Sequence, residues 1–102
     1  MKKLSKVQIK QQTAVMAAVT KLEEKAFSEL TGVKQAWFSM DYDAFPGSLL
    51  VRLQFETEPD LNVCEPELLA WQKYLAGLLF KKGILIKDMR RHLVFTLADP
   101  QD

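Results

Sequence analysis

Apolar residues recur at spacings of three and four along the first third of the chain, and the pattern then changes to alternation. Val15, Val19, Leu22, Ala26, Leu30 and Val33 form one stripe, while Lys21, Glu24, Lys25 and Ser28 fall mostly outside it. A repeat near 3.6 residues is what a helix buried along one side requires. Ser5 and Gln8 have the S-x-x-Q spacing of a capping box, and Leu4 and Ile9 stand where a hydrophobic staple would close. A first helix is therefore expected over about residues 5–31, stopped by a left-handed Gly32, with Val33 folding back on Phe27. Its first two turns, with "KQQ" at residues 10–12, are poor in core residues and are expected to overhang the domain.

"AWFSMDY" at residues 36–42 alternates, with Phe38, Met40 and Tyr42 on one face and Trp37, Ser39 and Asp41 on the other. "LLVRLQFE" at residues 49–56 alternates again, pointing Leu49, Val51, Leu53 and Phe55 one way and Leu50, Arg52, Gln54 and Glu56 the other. Between them, Phe45-Pro46-Gly47-Ser48 has Pro second and Gly third, as in a type II turn with positive φ at Gly47. These runs predict an antiparallel hairpin over residues 36–56 with one wet face.

"TEPDLNVC" at residues 57–64 reads as a polar connection. Pro66, with Glu65 and Glu67 beside it, suits the first turn of a second helix over about residues 66–82. Leu68, Trp71, Leu75 and Leu78 mark its apolar side, widened by Tyr74 and Leu79, and Gly83 closes it. "ILI" at residues 84–86 reads as a linker or short strand. A last strand over about residues 91–97 points Leu93, Phe95 and Leu97 inward and His92, Val94 and Thr96 outward, ending before Asp99-Pro100.

The expected fold is α+β in the order α-β-β-α-β, one domain with two helices on one face of a three-stranded sheet. The third strand can join either earlier one. Beside the second it requires a right-handed parallel crossover, and beside the first it makes a wholly antiparallel sheet.

With 102 residues, 48% of them apolar and 26% charged, the chain is sized and composed for one ordinary globular core. The net charge of +1 gives no overall attraction to a polyanion. Charge is nevertheless unevenly placed, at +4 over residues 1–35, −6 over 36–68 and +3 over 69–102. The apolar "AVMAAV" at residues 14–19 follows Lys2, Lys3 and Lys6, but it is short for a secretory leader and continues into the helical "TKLEEK". No run approaches the ~20 apolar residues of a membrane span, so a cytoplasmic protein without membrane contact is expected.

Candidate chemistry is sparse. One cysteine, Cys64, and one histidine, His92, leave no disulfide and no Cys/His metal set, and no cofactor is expected. Asp41 and Asp43 share a strand-end face, where paired acids serve turns and solvation. His92 is expected on the solvated sheet face. No catalytic residue stands out, and the chain reads as a non-enzyme.

Two surfaces remain as binding candidates. In "KKGILIKDMRRH", Lys81, Lys82, Lys87, Arg90 and Arg91 could form a patch for nucleic-acid phosphate, although a helix end and a strand start also account for them. On the uncovered sheet face, Trp37, Leu50 and Val94 offer a surface for a protein partner or a second copy of the chain.

The stretches "AWFSMDYDAFPGSLLVRLQF" and "GLLFKKGILIKDMRRHLVF" resemble a functionally uncharacterised family of small gammaproteobacterial proteins often labelled Fis-family transcriptional regulators. Fis-like regulators end in a helix-turn-helix, whereas a strand is expected to close this chain, so the resemblance does not imply DNA binding. The element order, with Ala76-Gly77 inside the second helix, more weakly resembles the KH-type domain of ribosome-binding factor A. That resemblance implies an association with ribosomal RNA, made without the GxxG loop of ordinary KH domains.

Overall fold

A computed structural model describes residues 4–97. Helix α1, Lys6–Glu29, starts at the expected capping box: Ser5 Oγ accepts from the Gln8 amide at 3.1 Å, and Gln8 Oε1 accepts from the Ser5 amide at 2.9 Å. Val15, Ala18, Val19, Leu22 and Ala26 are buried, while Val7 and Ile9 in the first turns stay exposed. The helix stops earlier than its pattern predicts. Leu30 is already extended and tucks its side chain into the core, so the expected fold-back of Val33 on Phe27 gives way to a turn through Gly32 at φ +78°.

The sheet consists of β1 (Val33–Ser39), β2 (Leu50–Phe55) and β3 (Leu93–Leu97), in that spatial order. β1 runs antiparallel to β2, and β3 runs parallel to it, which selects the crossover arrangement. The register aligns Ala36 with Leu53 and Phe95, and Phe38 with Val51 and Leu93, on the inner face. Val51, Leu53, Phe55 and Leu93 are wholly buried there, and Phe55 meets Phe95 with ring centroids 5.1 Å apart. Full burial of each such side chain contributes about 1.5–3 kcal/mol, and these strands hold much of the core.

The β2–β3 connection holds more helix than the sequence predicts. Residues expected as a polar connection form α2, Glu58–Cys64, in which the Thr57 hydroxyl accepts from the Asp60 amide, Pro59 occupies the first turn and Cys64 is buried. About two turns of helix are too few for periodicity to reveal. The next helix, α3, spans Leu68–Lys81 after a 3₁₀ turn at Glu65–Glu67 that takes up Pro66.

α3 ends in a full Schellman motif. The Ile84 amide donates to the Leu79 carbonyl and the Gly83 amide to Phe80, both at 2.9 Å, with Gly83 at φ +83° and Leu79 and Ile84 both buried. Residues 84–86 thus continue the helix stop and form no strand. α1 and α3 pack together, and Lys25 lies 5.5 Å from the Trp71 ring centroid and 5.3 Å from that of Tyr74 while pairing with Glu29.

Two further expectations need correction. After Ser39 the chain leaves the sheet, so Met40 and Tyr42 are not strand residues, and a 3₁₀ turn forms at Tyr42–Ala44. The following turn is not type II over residues 45–48. The Leu49 amide donates to the Pro46 carbonyl at 3.1 Å, which makes Pro46 the first residue of the closing turn, and Gly47 lacks a positive φ. The Phe45-Pro46 peptide is cis. Asp99 and Pro100, expected to follow the last strand, lie outside the described residues.

Candidate functional site

Alternation along the strands places one set of side chains on the outer sheet face. Trp37, Arg52 and Val94 stand in one row across β1, β2 and β3, with Ser39 and Leu50 in the row on one side and Gln35, Gln54 and Thr96 in the row on the other. The three predicted sheet-face residues therefore do share a surface. Trp37 is 57% exposed and leans on Phe38 at 5.4 Å between ring centroids, while Leu50 and Val94 are half-buried. Gln35 donates to Gln54 at 2.5 Å, and Thr96 Oγ1 is sealed from solvent without a hydrogen-bond partner among the described residues.

Both outer strands carry a helix side chain on their main chain. Glu23 of α1 accepts the Ala36 amide of β1 at 2.9 Å, and buried Gln72 of α3 donates to the Leu93 carbonyl of β3 at 3.0 Å. Such contacts blunt a sheet edge against further strand pairing. The polar positions Glu23 and Gln72 gave no sign of this role in the sequence, where each reads as a helix surface residue.

The basic stretch divides. Lys81 and Lys82, at the end of α3, line a hollow of about 230 Å³ with Lys21 of α1. Lys87 and Arg91 line a different cleft of about 420 Å³, between the Pro46-Gly47 corner and the segment leading into β3. Arg90 and Arg91 do not open the strand as expected. They belong to a 3₁₀ turn, Met89–Arg91, capped by the Asp88 carboxylate, which accepts from the Arg90 amide at 3.1 Å. Arg90 also grips Asp88 with its side chain, Nε to Oδ1 at 3.0 Å and Nη2 to Oδ2 at 3.2 Å. This side-chain hydrogen bond, helped by the backbone one, holds the Asp88 carboxyl below its ordinary range. The Arg91 amide donates to the Asp88 carbonyl at 3.2 Å, while the side chains of Lys87 and Arg91 make no ion pair or hydrogen bond among the described residues.

His92 is the clearest departure from the sequence reading. It is 6% exposed, and its Nδ1 lies 2.7 Å from the Leu49 carbonyl. A carbonyl oxygen only accepts, so Nδ1 carries the proton and donates it. The 3₁₀ turn delays the strand to Leu93 and swings His92 off the outer face into the wall of the cleft. The Asp88-x-Arg90 spacing, an acid able to cap a turn two residues on, was the available signal for that delay.

Asp41 serves its own turn: its Oδ1 accepts the Asp43 amide at 2.9 Å, and its main chain exchanges two hydrogen bonds with the Ser48 hydroxyl. The Cys64 thiol sits 4.0 Å from the Thr31 carbonyl, and burial pushes its pKa up, which favours the inert thiol. Among the described residues, no group of three or more His, Cys, Asp or Glu side chains gathers as a metal site would, and no helix is long and apolar enough to cross a membrane. The chain matches no family model, no curated protein and no solved structure.

Proposed function

We propose that this chain is a non-enzymatic cytoplasmic binding domain whose outer sheet face meets another protein, most directly a second copy of itself. The observation that carries the reading is Trp37, more than half exposed in one row with Arg52 and Val94 and next to Leu50. Tryptophan and arginine are among the side chains enriched at the energetic centres of protein interfaces, and the two aliphatic side chains extend the apolar area around them. The flanking glutamines, Gln35 and Gln54, supply a polar rim.

An RNA- or ribosome-associated role is the alternative. It draws less support, because Lys81 and Lys82 line one depression and Lys87 and Arg91 another, while Arg90 is held by Asp88.

Sedimentation across the micromolar range tests the proposal. Wild type is expected to shift toward dimer with concentration, while Trp37→Ala and Val94→Glu stay monomeric with unchanged circular dichroism. A photocrosslinking residue at position 37 tests a different protein partner in cells. A wild type that remains monomeric and also gives no crosslinked product from position 37 overturns the reading.

A further inference from the structure

We propose that the cleft between the Pro46-Gly47 corner and residues 85–92 binds a small organic anion, an oxyacid group carried on an apolar body. This site is separate from the sheet face and lies where the chain turns into β3.

Charge is the first argument. The side chains of Lys87 and Arg91 line the cleft without an ion pair or hydrogen bond among the described residues. Asp88 also lines the cleft and attracts Arg91 at a distance, but both its carboxylate oxygens are engaged by Arg90, so Lys87, Asp88, Arg90 and Arg91 together leave a positive excess there. An anionic oxygen entering the cleft therefore meets two cationic side chains that are not held in an ion pair among the described residues. Arg91 offers the planar fork that suits a carboxylate or a phosphate.

His92 is the second. Its ring is buried and anchored through Nδ1 to the Leu49 carbonyl, which fixes the imidazole in the cleft wall. Nε2 makes no hydrogen bond among the described residues and belongs to a ring that lines the cleft, so it is available for a further hydrogen bond there. A buried, oriented imidazole with one free nitrogen is a positioned polar group of the kind that fixes a ligand's orientation.

Size and lining decide the ligand class. The cleft's volume of about 420 Å³ falls in the usual range for small-molecule sites, and Pro46, Leu85 and Ile86 give it apolar walls. Leu85, at 72% exposed, stands beside the cations without cover. An inorganic ion would leave these walls wet, so the fitting ligand adds a ring or short aliphatic body to its anionic end. A single strand of RNA fits less well, since no Phe, Tyr or Trp lines the cleft to stack a base.

The test is an NMR titration of the intact chain with phenyl phosphate, phenylacetate, inorganic phosphate and acetate, followed on amide and imidazole signals. Phenyl phosphate or phenylacetate is expected to move the amides of Gly47 and residues 85–92 and the His92 ring signals, and which of the two binds more tightly separates phosphate from carboxylate recognition. Removing the apolar body should weaken binding by about tenfold or more, given the transfer value of a buried ring. Arg91→Gln and Lys87→Gln, both at exposed positions, should each weaken binding by about tenfold, as loss of a charge-assisted hydrogen bond does. Several outcomes overturn the proposal: no shift from either aromatic anion at millimolar concentration, equal binding by inorganic phosphate, or unchanged affinity in both variants. Tighter binding of oligouridylate than of phenyl phosphate also overturns it and favours a nucleic-acid surface.

Discussion

Gly32 and Gly83 have nearly the same backbone, φ +78° and +83°, but different surroundings, and substituting each by alanine separates two costs that are usually entangled. A side chain in the left-handed region costs about 1–2 kcal/mol wherever it occurs. At Gly83 nothing lies within 4 Å of an added Cβ, so Gly83→Ala should lose only that amount. At Gly32 the same atom would sit 2.2 Å from Asp60 Oδ2, 2.4 Å from its Cγ and 2.6 Å from its Cβ. Because the clash includes Cβ, a new Asp60 rotamer cannot relieve it, and α2 itself must shift. The move also strains the Thr57–Asp60 pair, Oγ1 to Oδ2 at 2.8 Å, in the first turn of α2. Overpacking of this kind adds about 1–3 kcal/mol, for a total of about 2–5 kcal/mol in Gly32→Ala. Urea denaturation followed by circular dichroism measures both variants. In an Asp60→Gly background, which removes all three atoms, Gly32→Ala should cost no more than Gly83→Ala. Equal losses for the two single variants, or an undiminished loss in the Asp60→Gly background, would refute the reasoning.

Two further outcomes follow from polar groups already described. Thr96→Val keeps the side-chain shape and removes a sealed, unpartnered hydroxyl, so it should stabilise the chain by about 1 kcal/mol and raise Tm by about 4–8 °C. A lower Tm would show that the hydroxyl is satisfied in solution. Asp88 has a folded pKa depressed chiefly by the Arg90 side-chain hydrogen bond. Its contribution to the Met89–Arg91 turn is thus present above the unfolded value of about 3.9 and is lost only as pH falls through the lower folded value. A carboxyl-carbon NMR titration should find the Asp88 midpoint below the ordinary range and moved upward in Arg90→Ala, and an unchanged midpoint in that variant would contradict the assignment.

Where local rules act alone, the sequence was legible. The Ser5–Gln8 capping box, the alternation in Val51, Leu53 and Phe55, and the stop at Gly83 each depend on residues near one another in the chain. Misreadings came where a short polar cap redirects the backbone. Thr57 starts a helix too brief to show a period, and Asp88 inserts a turn that rotates His92 from the outer face to the interior. The candidate sites divide on the same line. Trp37, Leu50 and Val94 were placed together by strand alternation, which the structure keeps. The five basic residues are close in sequence, but the Schellman ending and the Asp88 turn intervene, so Lys81 and Lys82 do not share a cleft with Lys87 and Arg91.

The contacts of Glu23 with β1 and Gln72 with β3 tie the solubility of the sheet to the docking of its helices. A folding chain whose strands have paired while α1 is still detached exposes the Ala36 amide, and with it an edge able to recruit a strand from another molecule. Protection against that encounter thus depends on α1 being docked, and it is lost whenever α1 lifts away. Aggregation of this protein should therefore follow the lifetime of helix-undocked intermediates and vary little with the apolar content of the native surface. Conditions that loosen α1 without melting the strands are the hazardous ones for handling it.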